Sequence, residues 1–369
     1  MIIGVDGNEA NVEKKVGVSI YTLNLLNYFN KIANKNISFK IFLKNNPRNE
    51  LPKENKYFKY EVVHGNFLWS QIFLPIRLYK KKDIDIFFSP AHYLPRFCSV
   101  TSIVTIHDLS YLYYPEDFLK KDLFQLKNWS SYSLKKAKKI IAVSKTTKKD
   151  IIKNYKIPDE KIEVIHNGYE KPIKYQISNI KFEKINDPYI LYVGTLQPRK
   201  NILTLIKAFE KFKNFYPEFK LIIAGKKGWL YDKIFRLVTD LGLEGDVYFT
   251  DYVTDNQLVF LYKNAFCFVL PSFYEGFGIP LLEAMSFDCP VISSFYSSLP
   301  EIGADACLYF DPNNVFDLVE KLKLLKENKK LRKELTKKGK TRIKEFSWKK
   351  CADQTLKVIL NTHASSTIS

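Results

Sequence analysis

The stretch AFCFVLPSFYEGFGIPLLEAMSFDCPVIS, residues 265–293, decides the fold. It opens on a short apolar run, bends through a glycine-rich turn, continues at helical spacing, and closes on a second apolar run. Strand, turn, helix and strand in that order form the repeating unit of a parallel sheet, because parallel neighbours need a helical crossover. Glu275 stands at the end of the first strand, and Glu283 lies about one turn into the helix. Gly276 and Gly278 leave the backbone of the turn uncovered, and Pro280 suits a first helical turn. Such a helix start presents unpaired N–H groups and a positive dipole, a ready anion site. Carboxylates accept hydrogen bonds from sugar hydroxyls while amides face phosphate, so the pattern suits a polyhydroxylated, phosphate-bearing ligand. The plainer reading of the same residues is a helix-end carboxylate beside a turn.

Outward from this stretch the unit recurs along the chain. MIIGVD, SFKIFL, DIFFSP, SIVTIHD, KIIAVS and KIEVIHNG read as buried strands in the first half, with helical segments such as VSIYTLNLLNYFNKIA between them. YILYVGTL, FKLIIAGK, VYFTDYV, AFCFVLPS, PVISS and ACLYFDP form a second series. Two series imply an α/β chain of two Rossmann-like domains whose parallel sheets face a central cleft, where ligands of open sheets bind. The seam is expected in 171–188, which has mixed charge, two prolines and no sustained period. The expected domains are 1–175, 188–345, and a last helix over 346–360 returning to the first. The helical run 315–346 is expected to break once or twice, and HASSTIS to fray.

Length and composition fit this outline. The chain has 369 residues and is 46% hydrophobic and 15% aromatic, enough for two cores. No apolar run reaches the roughly 18 residues that cross a bilayer. The start IIGVDGNEA reads as a strand rather than a secretory signal, which points to the cytoplasm. Five cysteines without a CxxC pair are expected to be reduced structural thiols. The formal charge of +19 is uneven: residues 1–180 hold 30 basic and 17 acidic residues. A basic first half attracts anionic lipid or a phosphorylated ligand, although a solvated lysine-rich surface explains the same count. No nucleic-acid-binding pattern is present, so no nucleic-acid partner is expected.

A second constellation is YVGTLQPRKNILTLIKAF, residues 192–209. A strand ends at Gly194, and a loop carries Arg199 and Lys200 to a helix start. Two cations there suit a diphosphate and the charge that builds on a leaving phosphate. Taken alone, an exposed basic loop is the simpler reading.

Together, EGFGIPLLEAM, VGTLQPRKN, PVISSFYSSLPEIGADACLYFDP, TIHDLSYLYYPE, AVSKTTKKDI and VIHNGYE resemble, in order, retaining glycosyltransferase family four with the GT-B fold. The resemblance runs from about residue 2 to residue 355. It implies a metal-independent retaining hexosyltransferase of cell-envelope polysaccharide synthesis, with no cofactor beyond a nucleoside-diphosphate sugar donor. That donor would bind the C-terminal domain, and a glycan or lipid-linked acceptor the N-terminal domain. The wording of TIHDLSYLYYPE resembles a mannosyltransferase-like branch, which favours GDP-mannose. By the same resemblance, Glu275 contacts hydroxyls of the transferred sugar and Glu283 the ribose. Phe277, Gly278 and Ile279 offer backbone to the sugar; Leu281 and Leu282 offer amides to the phosphates. Arg199 and Lys200 clamp the diphosphate. Many members have an arginine directly after the strand glycine, where this chain has Thr195. His107 would bond the donor sugar, Asp108 hold its loop, and Gly17 and Gly194 bring backbone close to the ligands. Asn167 and Gly168 match a cleft loop, while Gly225, Lys226, Tyr252, Val253 and Leu258 fall where the family seats the nucleobase. The family is expected to transfer by front-face attack, the phosphate taking the acceptor proton.

Three further expectations complete the reading. Asp83 and Asp85 in DID precede a strand rather than end one, so a strand entrance is read there and not a metal site. FLWSQIFLPIRLYKKKD, residues 67–83, is apolar and then basic, as an interfacial helix at an anionic membrane surface would be; a helix packed on the first sheet reads the same way. The rival functions are a sugar-nucleotide epimerase or a phosphorylase-like protein on this fold, and an inactive basic membrane-surface scaffold.

Overall fold

The computed structural model describes residues 1–65, 68–171, 187–228 and 230–367. The chain divides into two compact units: Met1–Tyr113, Leu119–Gly168 and Phe346–Ser369 form the first, Tyr114–Phe118 and Tyr169–Glu345 the second. The seam read in 171–188 lies, but for its three end residues, outside the described residues.

The first unit holds β1 (Ile2–Asp6), β2 (Ser38–Leu43), β3 (Phe58–Val62), β4 (Ile86–Ser89), β5 (Ser102–Ile106), β6 (Lys139–Ala142) and β7 (Ile162–Val164). They lie in the order β3-β2-β1-β4-β5-β6-β7, every pairing parallel. Every residue of β4 and β5 is buried, as expected of strands covered on both faces. Phe29, from the helix Gly17–Ile32, stacks on Phe39 at 4.8 Å, and each such ring contributes about 2–3 kcal/mol by leaving water.

The helix Trp348–Thr367 packs on this unit, where Cys351, Ala352 and Ile359 join its core. Tyr28 donates to the Asp353 carboxylate. A Cβ on Gly168 would lie 2.3 Å from the Trp348 backbone nitrogen, so only glycine allows this approach. Of the tail HASSTIS, residues 363–367 continue the helix Trp348–Thr367, and 368 and 369 lie outside the described residues. Ser365 and Ser366 hydroxyls bond back to the carbonyls of Asn361 and Thr362, which gives these weak helix formers local partners.

The second unit holds β8 (Tyr189–Val193), β9 (Lys220–Ala224), β10 (Val247–Phe249), β11 (Cys267–Leu270), β12 (Val291–Ser294) and β13 (Cys307–Phe310), in the order β10-β9-β8-β11-β12-β13 and again all parallel. The run 315–346 breaks at Asn328, whose side chain accepts from Leu331 N and starts a new helix. Strand order reverses between β1 and β4 in one sheet and between β8 and β11 in the other. Ligand crevices open beyond the carboxyl ends at such reversals. Both loops singled out by sequence, Gly194–Lys200 and Glu275–Gly278, leave the two strands that flank the second reversal.

Candidate active site

At the exit of β11 the chain turns back so that the Glu275 carboxylate lies against the loop from β8. Its Oε1 accepts from Lys200 Nζ at 2.5 Å and from Ser272 Oγ at 2.8 Å, and Arg199 Nη1 lies 3.9 Å from Oε2. Burial by itself would raise the Glu275 carboxyl. The Lys200 and Arg199 charges outweigh burial and hold it below the usual carboxylate range, so it is ionised. Two serines from the loop after β12 fasten the turn. Ser297 Oγ accepts from Glu275 N at 2.8 Å and also donates to the Glu275 carbonyl; Ser298 Oγ reaches the carbonyls of Glu275 and Phe277 at 2.8 and 2.9 Å. Gly278, at φ +104°, turns the chain into the helix Ile279–Ser286, and Leu281 N–H bonds back to its carbonyl at 3.0 Å. Leu281 and Leu282 side chains are fully buried, which fixes the pitch of this helix start.

The loop from β8 is held as firmly. Asn201, in left-handed backbone, sends its amide to the carbonyls of Pro271 and Pro312 at 3.1 and 2.8 Å. The short 3₁₀ turn Pro198–Lys200 is thereby pinned beneath the β11 exit. Phe273 N–H donates to the Arg199 carbonyl at 2.9 Å, and Arg199 Nη1 donates to the Tyr274 carbonyl at 3.1 Å. Asp117, in the second unit with the rest of Tyr114–Phe118, lies 3.8 Å from Arg199 Nε and accepts from Arg199 N–H at 3.3 Å. Two cations and two carboxylates thus share one buried cluster. Such a set can receive an anionic group by exchanging carboxylate partners for phosphate oxygens.

Glu283, one turn into the helix, accepts from Tyr262 OH at 2.9 Å. Burial raises its carboxyl above the usual range, and the Tyr262 bond opposes this only in part. Gly225 N–H bonds to the Asp251 carbonyl at 3.0 Å, and a Cβ on Gly225 would lie 2.0 Å from the Gly194 oxygen. The ends of β8 and β9 therefore meet backbone to backbone. Tyr252 is 64% exposed with Lys226 Nζ 5.0 Å from its ring centroid, a stacking surface for a planar group. Val253 and Leu258 are half-buried beside it, Leu258 in a helix closed by a Thr254–Gln257 capping box.

His107 and Gly17 belong to the first unit. Gly17 opens its helix, and a Cβ there would meet no atom of the described residues within 4 Å. His107 follows β5, edge-on to Tyr21 at 4.8 Å and 5.5 Å from the His92 ring. Its Nε2 lies 2.8 Å from the Pro90 carbonyl, which can only accept. The proton is therefore on Nε2, and Nδ1 carries the lone pair. Burial, then His92, push the imidazole down to about 4, so it is neutral near pH 7. Asp108 Oδ1 accepts from Ser110 N and Oγ and ties the turn. Asn167 and Gly168 end β7's exit in the same unit, Asn167 buried.

Arg199, Lys200 and Glu275 are thus brought together, with Gly194, Phe277, Gly278, Ile279, Leu281 and Leu282 on the same two loops. Glu283 lies further along the helix, and Val253 and Leu258 on the rim after β10. Sequence reasoning missed Asp117, Ser297, Ser298 and Tyr262. The serines stand in FYSSLPE, whose small hydroxyls at a strand exit were the available signal; Asp117 carried none beyond an acidic pair after proline. Asp83 pairs with Lys40 and Arg77, and Asp85 accepts from Ile2 N–H at 2.7 Å. Among the described residues no group of His, Cys, Asp and Glu is placed to hold a metal ion.

Comparison with known proteins shows the family and the fold. The family profile described as Glycosyltransferase Family 4 matches residues 17–171, and that described as Glycosyl transferases group 1 matches 174–342. The chain is 34% identical to O-antigen chain mannosyltransferase B of Escherichia coli over 281 residues, 73% of each chain. It is 35% identical to O-antigen chain mannosyltransferase RfbU of Salmonella typhimurium over 57% of each. Among solved structures, a sucrose-phosphate synthase from Thermosynechococcus elongatus shares the fold, with TM-score 0.77 at 19% identity over 99% of both chains.

Proposed function

This chain belongs to glycosyltransferase family four, and we propose that it moves mannose from GDP-mannose, with retention at the anomeric carbon, to a glycan or lipid-linked acceptor of a cell-envelope polysaccharide. That it is a glycosyltransferase of GT-B type, using a nucleotide-sugar donor, follows from the family. The epimerase and scaffold readings find no support in the two relatives described above, which are named as mannosyltransferases. The single observation that carries the proposed chemistry is the ion-paired cluster of Lys200, Arg199 and Glu275 between the exits of β8 and β11.

In this reading the first unit takes the acceptor and the second the donor, the boundary falling after Gly168 rather than at 175 and the segment Tyr114–Phe118 going with the second, while the last helix braces the first. Arg199 and Lys200 hold the diphosphate, Leu282 offers its amide, the Leu281 N–H would have to give up its bond to the Gly278 carbonyl to join it, and Glu283 takes the ribose. The nucleobase lies near Val253 and Leu258. As the anomeric C–O bond lengthens, negative charge grows on the leaving phosphate, and the fixed cations stabilise it. The acceptor oxygen bonds to the same face of the sugar and loses its proton to the departing phosphate oxygen. Glu275 orients sugar hydroxyls, with backbone from Phe277, Gly278 and Ile279. His107, neutral, accepts a hydroxyl through Nδ1, while Gly17 and Gly194 let ligand approach backbone. A thermal-shift panel of GDP-, UDP-, ADP- and dTDP-sugars tests the donor: stabilisation by GDP-mannose is expected, and stabilisation by UDP-sugars alone would overturn it.

Work on a lipid-linked acceptor also suggests attachment to the cytoplasmic face of an anionic membrane. Among the described residues no helix is long and apolar enough to cross one. The helix Phe73–Lys80 supports a surface role: Leu74 and Leu78 are buried, yet Ile72, Phe73, Ile76 and the 71%-exposed Tyr79 form its outer face, followed by Lys80, Lys81 and Lys82. Apolar anchors beside lysines suit anionic headgroups. Sedimentation with phosphatidylglycerol vesicles should fall for Ile76→Glu; binding indifferent to anionic lipid content would count against the idea.

A further inference from the structure

Asp117 is the one carboxylate of the cluster that the reaction as described does not use. It is 1% exposed, and its Oδ1 is buried with no hydrogen-bond partner among the described residues. Its Oδ2 faces the backbone N–H and the Nε of Arg199. The segment that carries it is built into the second unit. Tyr114 stacks on Phe273, with centroids 6.4 Å apart and planes 15° from parallel, and Pro115–Asp117 form a 3₁₀ turn. A buried carboxylate beside a diphosphate clamp is electrostatically adverse, since it repels the anion the clamp is meant to hold. Burial raises the Asp117 carboxyl and the Arg199 contacts oppose this only in part; in its ionised form Asp117, with Glu275, balances the charges of Arg199 and Lys200 before any donor enters. A purely structural bond to the Arg199 N–H would be served by asparagine at lower desolvation cost.

We propose that Asp117 is a positioning residue that acts through Arg199: it holds the guanidinium in the loop before donor arrives, and by competing for it promotes release of the nucleoside diphosphate product. The inference rests on the reading of Arg199 as a diphosphate clamp. When diphosphate is bound, the guanidinium is shared between phosphate and Asp117. When the bond to sugar breaks and the product must leave, Asp117 is the partner that takes the guanidinium back. Removing its charge should therefore make the product bind more tightly and turnover slower, whereas removing a merely structural residue loosens binding and lowers the melting temperature.

The test titrates the full chain with GDP, UDP, ADP and dTDP and carries the tightest through three variants and the double variant. Arg199→Ala should weaken it at least tenfold. Asp117→Asn should tighten it about tenfold, the order expected for one like charge lost at this range in a partly screened site, and lower kcat with a product burst. Asp117→Glu keeps the charge and should leave affinity near native while kcat falls. In the Arg199→Ala background, Asp117→Asn should change affinity by less than twofold, because the effect passes through the guanidinium. If Arg199→Ala leaves affinity unchanged, the clamp reading fails and this inference with it. If Arg199→Ala weakens binding but Asp117→Asn leaves affinity and kcat native, or weakens binding equally in both backgrounds, Asp117 is structural and the inference alone is overturned.

Discussion

The carboxyl ends of the two sheets differ in what governs the titratable group at their centre. Beyond β8 and β11 the cations prevail at the centre of the cluster, where Lys200 and Arg199 hold Glu275 ionised; burial raises Asp117 and Glu283 around it, with Arg199 opposing the rise at Asp117. Beyond β1, β4 and β5 burial dominates and drives groups toward neutrality. Asp6 is raised to about 7, Glu9 is raised, and His92 and His107 are lowered. The difference teaches what each end is made to meet. A region that keeps its charges is prepared for a partner whose charge changes during reaction. One that sheds them suits neutral hydroxyls, for which a lone pair or an N–H suffices.

The comparison breaks most sharply at Lys200. Lys200→Ala should lower kcat about 10³-fold, as loss of a donor aimed at developing charge does, with little change in acceptor KM. Near-normal turnover would remove the charged end from the chemistry. Next in size, Glu275→Gln and Glu283→Gln should separate within that end. The first should cut turnover about 10²-fold with nucleoside-diphosphate affinity nearly native; the second should weaken that affinity about tenfold, or about 1.4 kcal/mol. Isothermal titration of product and steady-state kinetics read both, and equal effects on the two quantities would erase the distinction between sugar and ribose contacts.

The smallest expected effect concerns the neutral end. His107 titrates near 4 in the fold and near 6.5 unfolded, so between these values the unfolded chain binds more protons. Stability is full above about pH 6.5 and falls as pH drops toward 4. The loss from this residue is about 2 kcal/mol, discounted for its partial contact with solvent. His92 adds in the same direction. His107→Gln should flatten the slope in a denaturant series from pH 7 to 4.5; an unchanged slope would mean that His107 is not the buried neutral group.

Much of this was legible in the residues because parallel strands advertise themselves. Apolar runs such as CFVL and SIVTI must be buried on both faces, and their ends mark where loops can carry chemistry. Glu275, Lys200 and His107 stand at such ends. What could not be read is held by pairings across long separations. Asp117 lies 82 residues before Arg199, in a stretch without periodicity. Nothing in the residues around Tyr262 marks its hydroxyl as the donor to Glu283, 21 positions on. Ser297 and Ser298 are ordinary turn residues until the fold brings the β12 exit beside the β11 exit.

The five residues Tyr114–Phe118 have a consequence for recombination. They precede the second series of strands by some seventy positions yet fold with it. A hybrid made by joining the first half of one family member to the second half of another at the inter-domain seam would exchange Arg199 but not Asp117, and Phe273 but not Tyr114. Compatible swaps must carry this pentapeptide with the half it serves. Gene fusions that cut the chain only once separate a side chain from the loop it was shaped to fit.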